Sequence, residues 1–218
     1  MPASTGKMAD VRFIGALMGR YTLASRVRAR GVQIFACRLQ SISAKVIVAS
    51  APVTGSIGEA ISVYFPPFGT LRGHVGRHID GGYCIDIETD EEGREKLVAK
   101  IDWYKKRTFA GVTDKREHKR FMPREPRSAV VTASGEVLPC LIIDMSVSGA
   151  AVSADLEPEI GEPLAVGKVV CRVVRRLEVG FAVQFVNEQN VETVEEMLRA
   201  PDEWARVTRL QGDYIEVA

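Results

Sequence analysis

Gly82-Tyr83-Cys84-Ile85-Asp86-Ile87 returns, type for type, as Gly180-Phe181-Ala182-Val183-Gln184-Phe185, 98 residues further on. Val75 and Arg77 meet Val173 and Arg175 at the same offset. Upstream, Ile57-Gly58-Glu59 meets Ile160-Gly161-Glu162, and Cys37 meets Cys140, at an offset of 103. A loop five residues shorter in the second half reconciles the two offsets. A constant offset with one indel, followed by a helical pattern in both halves, marks two copies of one fold.

Each copy is built mainly of strands. In the first half, Val32–Leu39, Val46–Val48, Ile61–Phe65 and Tyr83–Ile87 are apolar or alternating runs. They are punctuated by Gly55–Gly58, Pro66–Gly69 and Gly81-Gly82. The period then changes. Thr89-Asp90-Glu91-Glu92 has the pattern of a capping box with Thr89 as N-cap. Leu97, Val98, Ile101 and Tyr104 then keep helical spacing. The second half repeats this with strands around Val130-Val131, Val137–Ile143, Ala150–Val152, Val169–Val174 and Phe181–Phe185. Its closing helix shows Val191, Val194, Met197 and Leu198 on one face and stops at Pro201. Strands closed by a helix are not βαβ alternation, so a doubly wound sheet is disfavoured. The expected division is a first domain at 11–106, a linker at 107–114, a second domain at 115–200 and a tail at 201–218.

Composition narrows the class. With 46% apolar and 26% charged residues and a formal charge of +1, the 218-residue chain has the make-up of a globular protein. No general nucleic-acid footprint covers it, so DNA or RNA partners are not expected. The patch Phe13–Met18 is too short for a signal core or a membrane span, which argues for a cytoplasmic protein without membrane insertion. Cys37, Cys84, Cys140 and Cys171 have no metal-binding spacing and sit in apolar runs, as buried small hydrophobes would. No nucleophile–base pattern is present, and an enzyme is not expected.

Charge is concentrated in one place. From Lys105 to Arg127 there are nine Lys/Arg against three Asp/Glu, a local charge of +6. Within it stands Arg116-Glu117-His118-Lys119-Arg120, followed by Phe121. Some twenty residues later comes Asp144-Met145-Ser146-Val147-Ser148-Gly149. Taken singly, the first is a basic linker and the second a polar turn, where Asp, Ser and Gly are expected in any case.

Together, these two motifs give the second half its resemblance to a PilZ domain, the bacterial receptor module for cyclic di-GMP. They match its R-x-x-x-R and [DN]-x-S-x-x-G signatures, in the family's order, over about residues 114–200. The resemblance implies two PilZ-like six-stranded antiparallel barrels in tandem, each with a closing helix. It implies a ligand, cyclic di-GMP, held by Arg116, Arg120, Asp144, Ser146 and Gly149, and no cofactor. The chemistry is compatible. A guanidinium satisfies guanine N7 and O6 bidentately and also pairs with phosphate, and an aspartate can accept from the guanine N1/N2 edge. Lys115 is left open between a phosphate contact and a bystander. The family's usual outputs are motility, attachment and exopolysaccharide control, exerted through a downstream protein partner.

Laid on this pattern, the first half is degenerate. Gly19-Arg20-Tyr21 aligns with Lys119-Arg120-Phe121, which puts Ala16 at the first arginine. Ser41 replaces the acid and Val46 the glycine, while Ser43 keeps the serine. The first copy is therefore expected to keep the fold, lose the ligand and serve as a packing or partner surface. The competing reading is an adaptor that works by protein contacts alone, without nucleotide.

Overall fold

The computed structural model describes residues 11–28, 31–107 and 120–204. The first half holds β1 (Phe13–Leu23), a small ribbon of β2 (Val27–Arg28) and β3 (Gly31–Val32), and β4 (Phe35–Ile42). It continues with β5 (Val46–Ser50), β6 (Ala60–Phe65), β7 (Gly69–Ile79), β8 (Gly82–Ile87) and α1 (Glu91–Arg107). The second holds β9 (Arg127–Thr132), β10 (Val137–Met145), β11 (Gly149–Ala154), β12 (Pro163–Val166), β13 (Val169–Leu177), β14 (Gly180–Phe185) and α2 (Val194–Leu198). One 3-10 turn follows at Asp202–Trp204.

Both halves close into six-stranded antiparallel barrels, in the orders β1-β4-β5-β8-β7-β6 and β9-β10-β11-β14-β13-β12. Strand for strand the topology is the same. Closure removes the sheet edges that an open sheet of this size would expose. The strands alternate as barrel walls must: β6 runs exposed-buried from Ala60 to Phe65, and β13 places Val169, Cys171 and Val173 inward.

The repeat extends to single hydrogen bonds. Gly58 donates to Val75 O at 2.7 Å and Gly161 to Val173 O at 2.7 Å. Ser56 N–H donates to the Glu59 carboxylate and Glu159 N–H to that of Glu162, each at 2.9 Å. Gly58 and Gly161 share a positive φ, 82° and 92°, which explains why glycine recurs there.

Three sequence expectations change. The five-residue difference is not a loop. Ala60–Ile79 and Pro163–Leu177 are equivalent hairpins; in the first, both strands are longer, and its turn has three residues instead of two. The extra turn residue is used: Phe68 packs against Tyr104 of α1 and near Phe13, with ring centroids 5.5 and 6.3 Å away. In the second barrel, α2 instead lies against the short turn at Gly167, where a Cβ would fall 2.5 Å from the Leu198 carbonyl. Second, the α1 N-cap is Asp90, not Thr89. The Asp90 carboxylate accepts from Gly93 N–H at 2.8 Å, while its own carbonyl accepts from Arg94 N–H. Third, α2 spans only five residues. Val194 and Leu198 are buried, but Val191 precedes the helix and is 62% exposed.

The two cores differ in filling. The first is aromatic, with Tyr21, Phe35, Phe65, Phe68 and Tyr83 fully buried; the second relies on Val, Ile, Ala and Cys around Phe181 and Phe185. All four cysteines are free and buried, and burial pushes the thiols of Cys37, Cys140 and Cys171 up, away from reactive thiolate.

The barrels touch through β4, which packs against β10 and β11. Ser153, fully buried, accepts from Ala36 N–H at 2.9 Å. Asp155 takes Arg26 at 2.8 Å and Gln33 at 3.1 Å. Two further ion pairs are reciprocal: Asp80, in the β7–β8 turn, pairs with Arg127 of β9, and its counterpart Glu178, in the β13–β14 turn, pairs with Arg20 of β1.

Candidate functional site

The second signature is a strand end and a tight turn. Asp144 lies one residue before the end of β10. Ser146 N–H donates to Gly149 O at 2.8 Å, closing the turn into β11. The Ser146 hydroxyl, 4% exposed, accepts from Ser148 N–H at 3.4 Å and lies 3.3 Å from Gly149 O. Ser43 does the same in the first barrel, closing on Val46 O at 2.9 Å and accepting from Val46 N–H at 3.1 Å. Ser146 and Ser43 are thus turn formers, one in each copy. Gly149 has an equally structural reason: a Cβ there would sit 2.3 Å from the Val183 carbonyl on β14.

Arg120 is brought to this turn by its neighbour. Phe121 N–H donates to Met145 O at 2.9 Å, and Met145 N–H to Phe121 O at 3.0 Å, an isolated antiparallel bridge. That bridge sets Arg120 beside Asp144, and Nη1 donates to Oδ1 at 2.9 Å. The side chains are 31% and 29% exposed, so the pair is half-desolvated yet reachable. Arg116, like Lys115, lies outside the described residues. The structure therefore unites Arg120, Asp144, Ser146 and Gly149.

The register also corrects the first-copy alignment. Phe13 pairs with Ile42 as Phe121 pairs with Met145, and Ile42 and Met145 are equivalent at the 103 offset. The counterpart of Arg120 is therefore Arg12, not Arg20; four residues before it the sequence has Met8, not Ala16, outside the described residues. The alignment failed because the first copy inserts β2 and β3 between β1 and β4: the paired residues Gly19 and Cys37 are 18 apart, while their counterparts Ser128 and Cys140 are 12 apart. The passage through Pro123 and Pro126 has only one residue more than the bulged start of β1. Arg12 is exposed, and Ser41 stands where an acid would pair with it.

From Phe121 to β9 the chain is tied on both sides. Arg38 of β4 donates to the carbonyls of Pro123 (2.6 Å) and Arg124 (2.9 Å). Glu195 of α2 accepts from Arg124 N–H (2.7 Å) and Glu125 N–H (3.3 Å). Glu125 in turn takes Arg127 at 2.8 and 3.0 Å. Burial works against the Glu125 charge, but the hydrogen bonds from Arg127 prevail and hold its carboxyl below the usual range. Neither Arg38 nor Glu195 carries a sequence signal; each is one charged residue on a strand or helix, and only the packing brings it here.

A tandem of six-stranded barrels, with an arginine–aspartate pair on the second, is the class that fold and site define. Residues 114–200 match the family model described as PilZ domain, so the second half of the chain carries a PilZ domain. No curated protein matches the chain. Among solved structures it is similar to the Bacillus subtilis inhibitor of motility MotI/DgrA, at 14% identity over 85% of this chain and 93% of that one, with a TM-score of 0.27. It is also similar to Borreliella burgdorferi PlzA in complex with c-di-GMP (13% identity, 88% and 85% covered, TM-score 0.23). Escherichia coli YcgR in complex with c-di-GMP is a further match (12%, 84% and 80%, TM-score 0.25). Among the described residues, no helix is long and apolar enough to cross a membrane, and no group of His, Cys, Asp and Glu could hold a metal.

Proposed function

We propose that the protein is a cytoplasmic, non-enzymatic receptor for cyclic di-GMP, with the ligand bound on the second barrel. The observation that carries this is the Arg120–Asp144 pair, half-desolvated at 2.9 Å within a PilZ domain. The two side chains satisfy each other. A guanine supplies acceptors for the guanidinium on its N7/O6 edge and donors for the carboxylate on its N1/N2 edge, so it can replace the pair without leaving either charge unpartnered. Arg116, four residues upstream, adds a second guanidinium for guanine or phosphate. Ser146 and Gly149 shape the turn that presents Asp144.

The segment that bears Arg116 and Arg120 joins the two domains, with the first at 11–106 and the second at 115–200. Ligand capture by that segment alters how the barrels meet, and so changes the surface offered to a downstream protein in motility, attachment or exopolysaccharide control. Calorimetric titration with cyclic di-GMP tests the reading. Arg116→Ala and Arg120→Ala should each weaken binding by about a hundredfold, as loss of a bidentate charged contact does. Absence of heat with the wild type, or binding indifferent to both substitutions, sinks the assignment.

A further inference from the structure

Arg38 stands on the first barrel, yet its half-buried guanidinium is occupied by backbone of the second. A cation on the carbonyls of Pro123 and Arg124 and a carboxylate, Glu195, on the N–H groups of Arg124 and Glu125 grip adjoining peptide units from opposite sides. Pro123, buried, and Pro126 remove two φ rotations from the same stretch. This gripped segment begins at Phe121, whose bridge to Met145 places Arg120 against Asp144.

We infer that Arg38 is a positioning residue for the ligand site of the second barrel, so that the first barrel contributes to ligand affinity without contacting the ligand. The inference rests on the cyclic di-GMP reading above. Without Arg38, two carbonyls lose a charge-assisted partner and the segment before β9 is held only from the α2 side. Arg120 then spends less time in the arrangement the ligand selects, and apparent affinity falls by that fraction. The first barrel thereby acquires a role its missing acid and glycine do not suggest.

Two measurements on the full chain test this: calorimetric titration with cyclic di-GMP, and amide hydrogen exchange at Phe121 and Met145 without ligand. Arg38→Ala should raise Kd by about tenfold and speed exchange at both amides. Arg38→Lys, which keeps a cation within reach of one carbonyl, should recover part of both effects. Arg20→Ala breaks a different inter-barrel contact, the pair with Glu178; it should change neither, which separates positioning from a general loosening of the interface. Wild-type affinity with wild-type exchange in Arg38→Ala overturns the inference. If the wild type binds no cyclic di-GMP, the ligand reading fails and the affinity claim fails with it. Exchange at Phe121 and Met145 then still decides whether Arg38 holds the segment.

Discussion

The two barrels share a topology, a glycine turn at Gly58 and Gly161, and a serine turn at Ser43 and Ser146, and they differ where charge could meet a ligand. At the position of Asp144 the first barrel has Ser41; at that of Gly149 it has Val46, paired with Asp86 as Gly149 pairs with Gln184. The serine therefore belongs to the fold, since both copies keep it and use it alike. The arginine–aspartate pair belongs to the second copy alone. The glycine falls between: a valine is accommodated in one barrel, while in the other the β14 backbone has closed over the same place.

Exchanging residues between the copies sharpens this contrast. The largest expected effect is Gly149→Val, which installs the first barrel's residue. A side chain forced against the Val183 carbonyl should cost about 2 kcal/mol of stability, read from denaturant unfolding. Unchanged stability would show that the turn relaxes freely and that glycine is there for the ligand. Next comes Asp144→Ser, again the first barrel's residue. It leaves Arg120 without its partner and the guanine edge without its acceptor, and Kd for cyclic di-GMP should rise about tenfold. Equal binding would remove Asp144 from the site.

The smallest effect is in acid. Burial opposes the Glu125 charge, yet the hydrogen bonds from Arg127 hold its carboxyl below the usual glutamate range. A carboxylate lowered in the folded state adds stability that is present above the unfolded pKa and is lost as pH falls through the folded one. Glu59 in the first barrel is lowered in the same direction, by its bonds from Ser25 and Ser56 against a burial penalty. Because these groups are partly exposed, each should account for less than about 1 kcal/mol. Thermal melts between pH 5 and 3 should flatten slightly in Glu125→Gln and in Glu59→Gln. An unaltered slope in both would mean that other carboxylates govern the acid response.

Much of this was visible in the sequence, because a barrel strand buries alternate residues and two copies bury them alike. Tyr83–Ile87 and Phe181–Phe185 could be matched by side-chain type alone. Shorter or less regular pieces could not. Pro163-Leu164-Ala165-Val166 is too brief to show a period, and the β2–β3 insertion between β1 and β4 broke the offset that would have matched Arg12 with Arg120. Capping was misplaced by one residue because Thr89 and Asp90 are both good caps, and only the backbone turn selects between them.

The sequence by itself determined the duplication, the mainly β class and the signature residues, since periodicity and motif spacing are properties of the chain. Tertiary structure alone decided that Arg120 meets Asp144, that Gly149 yields to β14, and that Arg38 of one barrel grips the approach to the other. Those facts depend on groups far apart in the chain, 24 residues for Arg120 and Asp144 and 85 for Arg38 and Pro123. Contacts at such separations are made by strand register and barrel packing, which no local pattern encodes.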